Sequence, residues 1–134
     1  MTELTEFLFP APARRSTAGI VRWWESRRLA YNVIVGATGA LSLVAIRVIT
    51  WLPPAPRSDF LDWRAIVVFG VLANLFYLLG PAVEIGVEKL GRGRILPTGP
   101  TLYRMGLTFS VGLTFLPTMI VGLDWAFRIL RVLL

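Results

Sequence analysis

The run AIVVFGVLANLFYLLGPAV, residues 65–83, lies between Arg64 and Glu84 and holds no charged side chain. Coiled as a helix at about 1.5 Å per residue, a run of this length matches the roughly 30 Å hydrocarbon core of a bilayer. A helix of a water-soluble bundle would interrupt the run with a polar face on every turn. Two more runs share its character: the 18 residues 29–46 between Arg28 and Arg47, and the 19 residues 105–123 between Arg104 and Asp124. Hydrocarbon offers the backbone no hydrogen bonds, so each run must satisfy its amides internally, as a helix does. The sequence therefore predicts an all-α, polytopic integral membrane protein with three transmembrane helices, spanning about residues 29–51, 63–88 and 101–125.

Composition agrees with lipid as the main solvent. Of 134 residues, 55% are hydrophobic and 16% charged, with a mean hydropathy of +0.66, whereas a soluble domain carries about a quarter charged residues. The chain has neither His nor Cys. The usual ligands of zinc, haem iron and iron–sulfur clusters are thus missing, together with Cys nucleophiles, Ser-His triads and disulfides. A net charge of +6 raises nucleic-acid binding, but the cations divide between two interfaces separated by hydrocarbon. Contact with anionic lipid explains them better, and no nucleic-acid partner is expected.

The five Trp residues test the span limits, because indole settles at headgroup level with its ring half buried and its N–H wet. Trp23 and Trp24 precede the first run, Trp51 follows it, Trp63 precedes the second, and Trp125 follows the third. All five are expected as interfacial anchors. Three crossings put Trp51, Trp63 and Trp125 in one belt, and Trp23 and Trp24, with Tyr103, in the other. The flanks on the Trp23 side carry nine Lys and Arg residues and those on the other side five. By the positive-inside rule the N-terminus is cytoplasmic and the C-terminus periplasmic.

Residues 1–15 read as an irregular arm, since Pro10 and Pro12 break helices and Glu3 and Glu6 are hydrophilic. Phe7, Leu8 and Phe9 are its only apolar cluster and the expected anchors on a partner. Residues 16–134 form a single three-helix transmembrane domain, opening with a short N-terminal interfacial helix capped by Ser16 or Thr17. The tail after Trp125 reads either as an interfacial turn or as a continuation of the third span. The glycines of the second loop match no phosphate-binding pattern.

Gly70, Asn74, Tyr77, Pro81, Glu84 and Glu88 recur at steps of three and four residues along the second span. Small and polar residues on one helical seam let backbones approach and hydrogen bonds cross, so the seam is expected to face protein. Asn32, Gly36 and Gly39 supply the matching face of the first span, and Gly106 and Ser110 that of the third. Asn74 is expected to bond across helices, worth about 0.6–2 kcal/mol. Glu84 falls at the cytoplasmic end of its span, where pairing with Arg28, Lys89 or Arg104 is expected.

Tyr31-Asn32, with Asn74, Tyr77, Gly80, Pro81 and Glu84, resembles the YN and NxxYxxGPxxE pattern of small, uncharacterised three-helix bacterial membrane proteins. The resemblance implies a bacterial origin and the three-helix plan, and brings no catalytic residues; the expected location is the bacterial inner membrane. No acid pair shares one pocket, so no enzyme is expected. The expected function is a non-enzymatic accessory subunit packed against a larger integral membrane complex, with photosynthetic or respiratory assemblies as hosts. The alternative is a homo-oligomeric small transporter or channel lined by the Asn74 to Glu84 seam. No cofactor is required, and bound lipid or carotenoid are the ligands such helices accommodate. Topology is directly testable: reporter fusions after Gly91 and Leu134 should read cytoplasmic and periplasmic respectively, and a cytoplasmic signal at Leu134 would refute the three-crossing orientation.

Overall fold

The computed structural model describes residues 16–54, 63–91 and 98–134. They form three helices, α1 (Thr17–Trp51), α2 (Trp63–Gly91) and α3 (Gly99–Leu133), each long and apolar enough to cross a membrane. The arm, with Phe7, Leu8 and Phe9, lies outside the described residues, as do 55–62 and 92–97.

Ser16 caps α1 by accepting a hydrogen bond on Oγ from the Gly19 N–H at 3.1 Å, which satisfies one of the first-turn donors that a helix leaves open. From there α1 runs through 35 residues to Trp51. The segment expected as a short interfacial helix leading into the first span forms the first turns of α1. At about 1.5 Å per residue α1 and α3 are each roughly 52 Å long, more than the ~40–45 Å of a whole bilayer with headgroups. Both helices must therefore lean or project beyond the membrane. α3 starts with Pro100 in its first turn, where the missing N–H has no intrahelical role. It continues straight through the tail, with Arg128 Nε donating to Asp124 Oδ2 at 2.8 Å.

α1 is the central element. It packs most extensively on α3, while α2 touches α1 and α3 over much less surface. Its buried face comprises Ile20, Trp24, Tyr31, Val35, Thr38, Ser42, Ile46 and Thr50, at steps of three, four and seven residues, the spacing that keeps one stripe against a neighbouring helix. Hydroxyl groups join α1 to α3 along the second half of the stripe. Ser42 Oγ donates to the Thr114 carbonyl at 3.0 Å, and Thr118 Oγ1 donates to the Ser42 carbonyl at 3.2 Å.

Midway along the bundle the Tyr31 hydroxyl lies 3.2 Å from the Ala73 carbonyl of α2, to which it donates, and 2.8 Å from Ser110 Oγ of α3. A single side chain thus ties all three helices at a depth where water cannot compete for its bonds. Removing the hydroxyl in Tyr31→Phe is expected to lower stability in detergent micelles by about 1 kcal/mol. Thermal unfolding followed by circular dichroism checks this, and a variant as stable as the parent would show that the tie contributes nothing.

Candidate functional site

A polar and aromatic cluster occupies the end of the bundle where α2 finishes and α3 begins. Trp24 of α1 is 3% exposed, and its indole Nε1 donates to Glu84 Oε2 of α2 at 2.6 Å. Indole has a single donor and no acceptor, so a buried Trp needs an acceptor placed for it. Glu84, itself 2% exposed, is that acceptor. Its carboxylate lies against the first residue of α3: a Cβ built on Gly99 would stand 2.6 Å from Oε2 and 2.8 Å from Oε1. Only a residue without a side chain lets the carboxylate come so close to the positive end of α3, where a negative group is favoured.

The indole ring presses equally closely on α2. A Cβ on Gly80 would overlap the six-membered ring of Trp24, so the glycine is the recess that receives the ring. Tyr77, one turn earlier, donates its hydroxyl to the Trp24 carbonyl at 2.6 Å. The rings of Tyr77 and Tyr103 meet that of Trp24 edge-on, with centroids 5.4 and 6.0 Å away. Trp23 adds a further edge contact to Tyr103 at 6.3 Å, and the Arg27 guanidinium lies over the Trp23 ring at 3.8 Å.

Beside this cluster, α2 and α3 diverge and leave a lateral groove of about 410 Å³. Phe76, Leu79 and Val83 form one wall; Leu102, Gly106 and Phe109 form the other; Trp24 and Tyr77 lie at its base. The lining is almost wholly apolar. Its volume falls in the range of about 300–1,000 Å³ typical of small-molecule sites. No group of three or more His, Cys, Asp or Glu side chains able to hold a metal occurs among the described residues.

The expected seam divides between inside and outside. Tyr77, Glu84 and Ser110 are buried in the core, and Pro81, Asn32 and Gly39 are half-buried. Gly39 faces α3, with space for a Cβ 3.7 Å from the Thr114 methyl. Gly70, Gly36 and Gly106 are exposed, and among the described residues nothing lies within 4 Å of a built Cβ. Asn74 needs correction. It is exposed, and its Nδ2 donates to the Gly70 carbonyl of its own helix at 3.1 Å rather than across to a neighbour. The rotation of α2 that seats Tyr77 and Glu84 against α1 turns Asn74 outward. Among the described contacts, Glu84 accepts from the Trp24 indole, and Arg28 pairs with Glu25 at 2.8 Å.

Among the expected interfacial anchors, Trp51 and Trp63 are 72% and 67% exposed. Trp125 is half-buried and donates Nε1 to the Pro53 carbonyl at 3.3 Å, linking the ends of α1 and α3. Trp23 is half-buried against Tyr103 at the opposite end. Trp24 is a correction, since its indole is bonded inside the bundle rather than wetted at headgroup level. Gly80 and Gly99 as recesses, and the Ser42, Thr114 and Thr118 hydroxyls, went unrecognised in the sequence. The heptad from Trp24 to Tyr31 to Thr38 was the available signal, because two steps of seven place a residue on the same face.

No family model, curated protein or solved structure matches the chain. The fold defines its class: an all-helical protein whose three helices are long and apolar enough to cross a membrane. The site adds a buried indole–carboxylate contact beside an apolar lateral groove. Gly80→Ala is expected to destabilise the bundle by about 1–3 kcal/mol through overpacking on Trp24. Gly86→Ala, on the same helix but with nothing within 4 Å, should leave stability unchanged. Equal melting temperatures for the two variants in micelles would contradict the recess.

Proposed function

We propose that the protein is a non-enzymatic accessory subunit that packs against a larger integral membrane complex of the bacterial inner membrane, its N-terminus cytoplasmic. The observation supporting this is the outward placement of Asn74. Eleven residues beyond Trp63, it lies about 16 Å into a hydrocarbon core roughly 30 Å thick. Polar side chains at such depth belong on protein-facing surfaces, where another helix supplies hydrogen bonds that lipid cannot. Gly70, one turn earlier and also exposed, would allow that helix a close approach.

The interior of the bundle argues in the same direction. Tyr31, Ser42, Thr114 and Thr118 bond to groups within the three helices, and the polar atoms of the core are thereby used for packing rather than for lining a path. A homo-oligomeric transporter or channel, the alternative, would have to line its path with the exposed Gly70 and Asn74 of several copies. The arm, with Phe7, Leu8 and Phe9, would extend the contact beyond the membrane. Respiratory and photosynthetic assemblies are the hosts to examine first, with lipid or carotenoid as an accompanying ligand.

Purification from native membranes in mild detergent, followed by native gels and identification of the co-purifying chains, tests the proposal. Full-length protein should migrate with a larger hetero-complex. Deleting residues 1–15 should weaken that association without stopping insertion, because the spans carry the insertion energy. Asn74→Leu should release the subunit while leaving the melting temperature of the isolated chain unchanged, whereas Leu72→Ala should do neither. A lone homo-oligomer, indifferent to the deletion and conducting ions in liposomes, would refute the subunit reading in favour of the channel.

A further inference from the structure

We infer that the groove between α2 and α3 seats one acyl chain of an anionic phospholipid from the leaflet at the Trp23 and Tyr103 end of the bundle. The inference stands apart from the subunit proposal, since one copy of the chain contains both walls.

The dimensions of the groove select this occupant. Along α3 its lining extends from Leu102 to Ser110, and along α2 from Phe76 to Val83. At about 1.5 Å per residue these walls are roughly 10–12 Å long, most of the ~15 Å hydrocarbon depth of a single leaflet. The lining ends at Tyr31 and Ser110, whose hydroxyls meet at 2.8 Å and mark the inner end of the groove. A flexible chain that enters from one headgroup layer and lies along these walls within that leaflet fits this shape. A rigid polyene crossing both leaflets does not, because it would run well past walls only roughly 10–12 Å long.

Gly106 shapes the outer wall. It lines the groove, and a Cβ built there would meet nothing within 4 Å. The missing side chain therefore serves no helix contact within the bundle and leaves room in the groove. Phe76 and Phe109 are 52% and 63% exposed, apolar surfaces along which a flexible chain gains van der Waals contact.

The charge at the mouth selects the headgroup. Arg22, Arg27 and Arg28 of α1, Lys89 at the end of α2 and Arg104 near the start of α3 all belong to this end of the bundle. Lys89 and Arg104 are exposed. Cations at a membrane surface favour anionic headgroups, and this end carries the greater share of the chain's basic residues.

The test uses the full chain reconstituted into vesicles of phosphatidylglycerol and phosphatidylcholine in equal parts, extracted in mild detergent and weighed by native mass spectrometry. The wild-type chain should retain one phosphatidylglycerol in preference to phosphatidylcholine. Gly106→Phe should lower that retention about tenfold by filling the groove. Gly112→Phe, on the same helix with nothing within 4 Å and outside the groove, should retain lipid as the wild type does. If Gly106→Phe fails to fold, Leu79→Trp narrows the groove from the other wall and carries the same expectation. Unchanged retention in a folded, groove-filled variant would overturn the site. Equal retention of the two lipids would overturn the anionic assignment, and a wild-type dimer dissolved by Gly106→Phe would show a second copy in the groove instead.

Discussion

The bundle depends on holding a buried carboxylate and a buried indole at one point where three helices meet. Neither group is satisfied by hydrocarbon. Trp24 has one donor to place, and Glu84 has a carboxylate whose removal from water is costly unless donors and dipoles replace the lost hydration. Their 2.6 Å contact answers part of both needs, but only if α1 and α2 approach closely and α3 begins beside them. Gly80 permits the first approach by receiving the indole ring, and Gly99 permits the second by leaving room for the carboxylate. The two glycines are therefore consequences of the same constraint.

From that point the rest of the packing follows in order along α1. Tyr77 hydrogen-bonds to the Trp24 backbone, Tyr31 bonds about two turns further along to α2 and α3, and Ser42 with Thr118 closes the α1–α3 contact beyond it. Each bond is worth little alone, since a helix separated in the membrane also finds partners for its polar groups. Their arrangement on one stripe sets the rotation of α1. It also makes the bundle asymmetric, because α3 is drawn onto α1 by hydroxyl contacts while α2 is held mainly through its Trp24-facing half. The lateral groove is the space left by this asymmetry, and the outward Asn74 is another result of the same rotation of α2.

The proposed subunit role depends on the outer surfaces of the molecule. Among the described residues, core hydroxyls bond within the three helices, while the exposed faces present the Asn74 amide, glycines with open space beside them, and an apolar recess. These are the features that the proposed partner and lipid contacts would use. The cationic end and the groove mouth coincide, which joins the charge asymmetry of the sequence to a shape that only the folded chain possesses.

The three spans were legible in the sequence because a bilayer constrains mainly length and polarity. The uncharged runs 29–46, 65–83 and 105–123 could be matched to its thickness without knowing any tertiary contact. Ser16 as a cap, Pro100 in the first turn of α3 and the Arg128–Asp124 pair follow from local rules of the same kind. Trp24 and Asn74 show where that reading stops. In water a helix reveals its inward face by alternating apolar and polar residues, but in lipid the outward face is as apolar as the core. Five Trp residues near span ends look alike in one dimension, and only packing placed Trp24 inside with Glu84. A seam of small and polar residues likewise marks a surface meant for protein without saying which helix will cover it. Rotation of α2 decided that, bringing Tyr77 and Glu84 into the bundle and leaving Gly70 and Asn74 facing out.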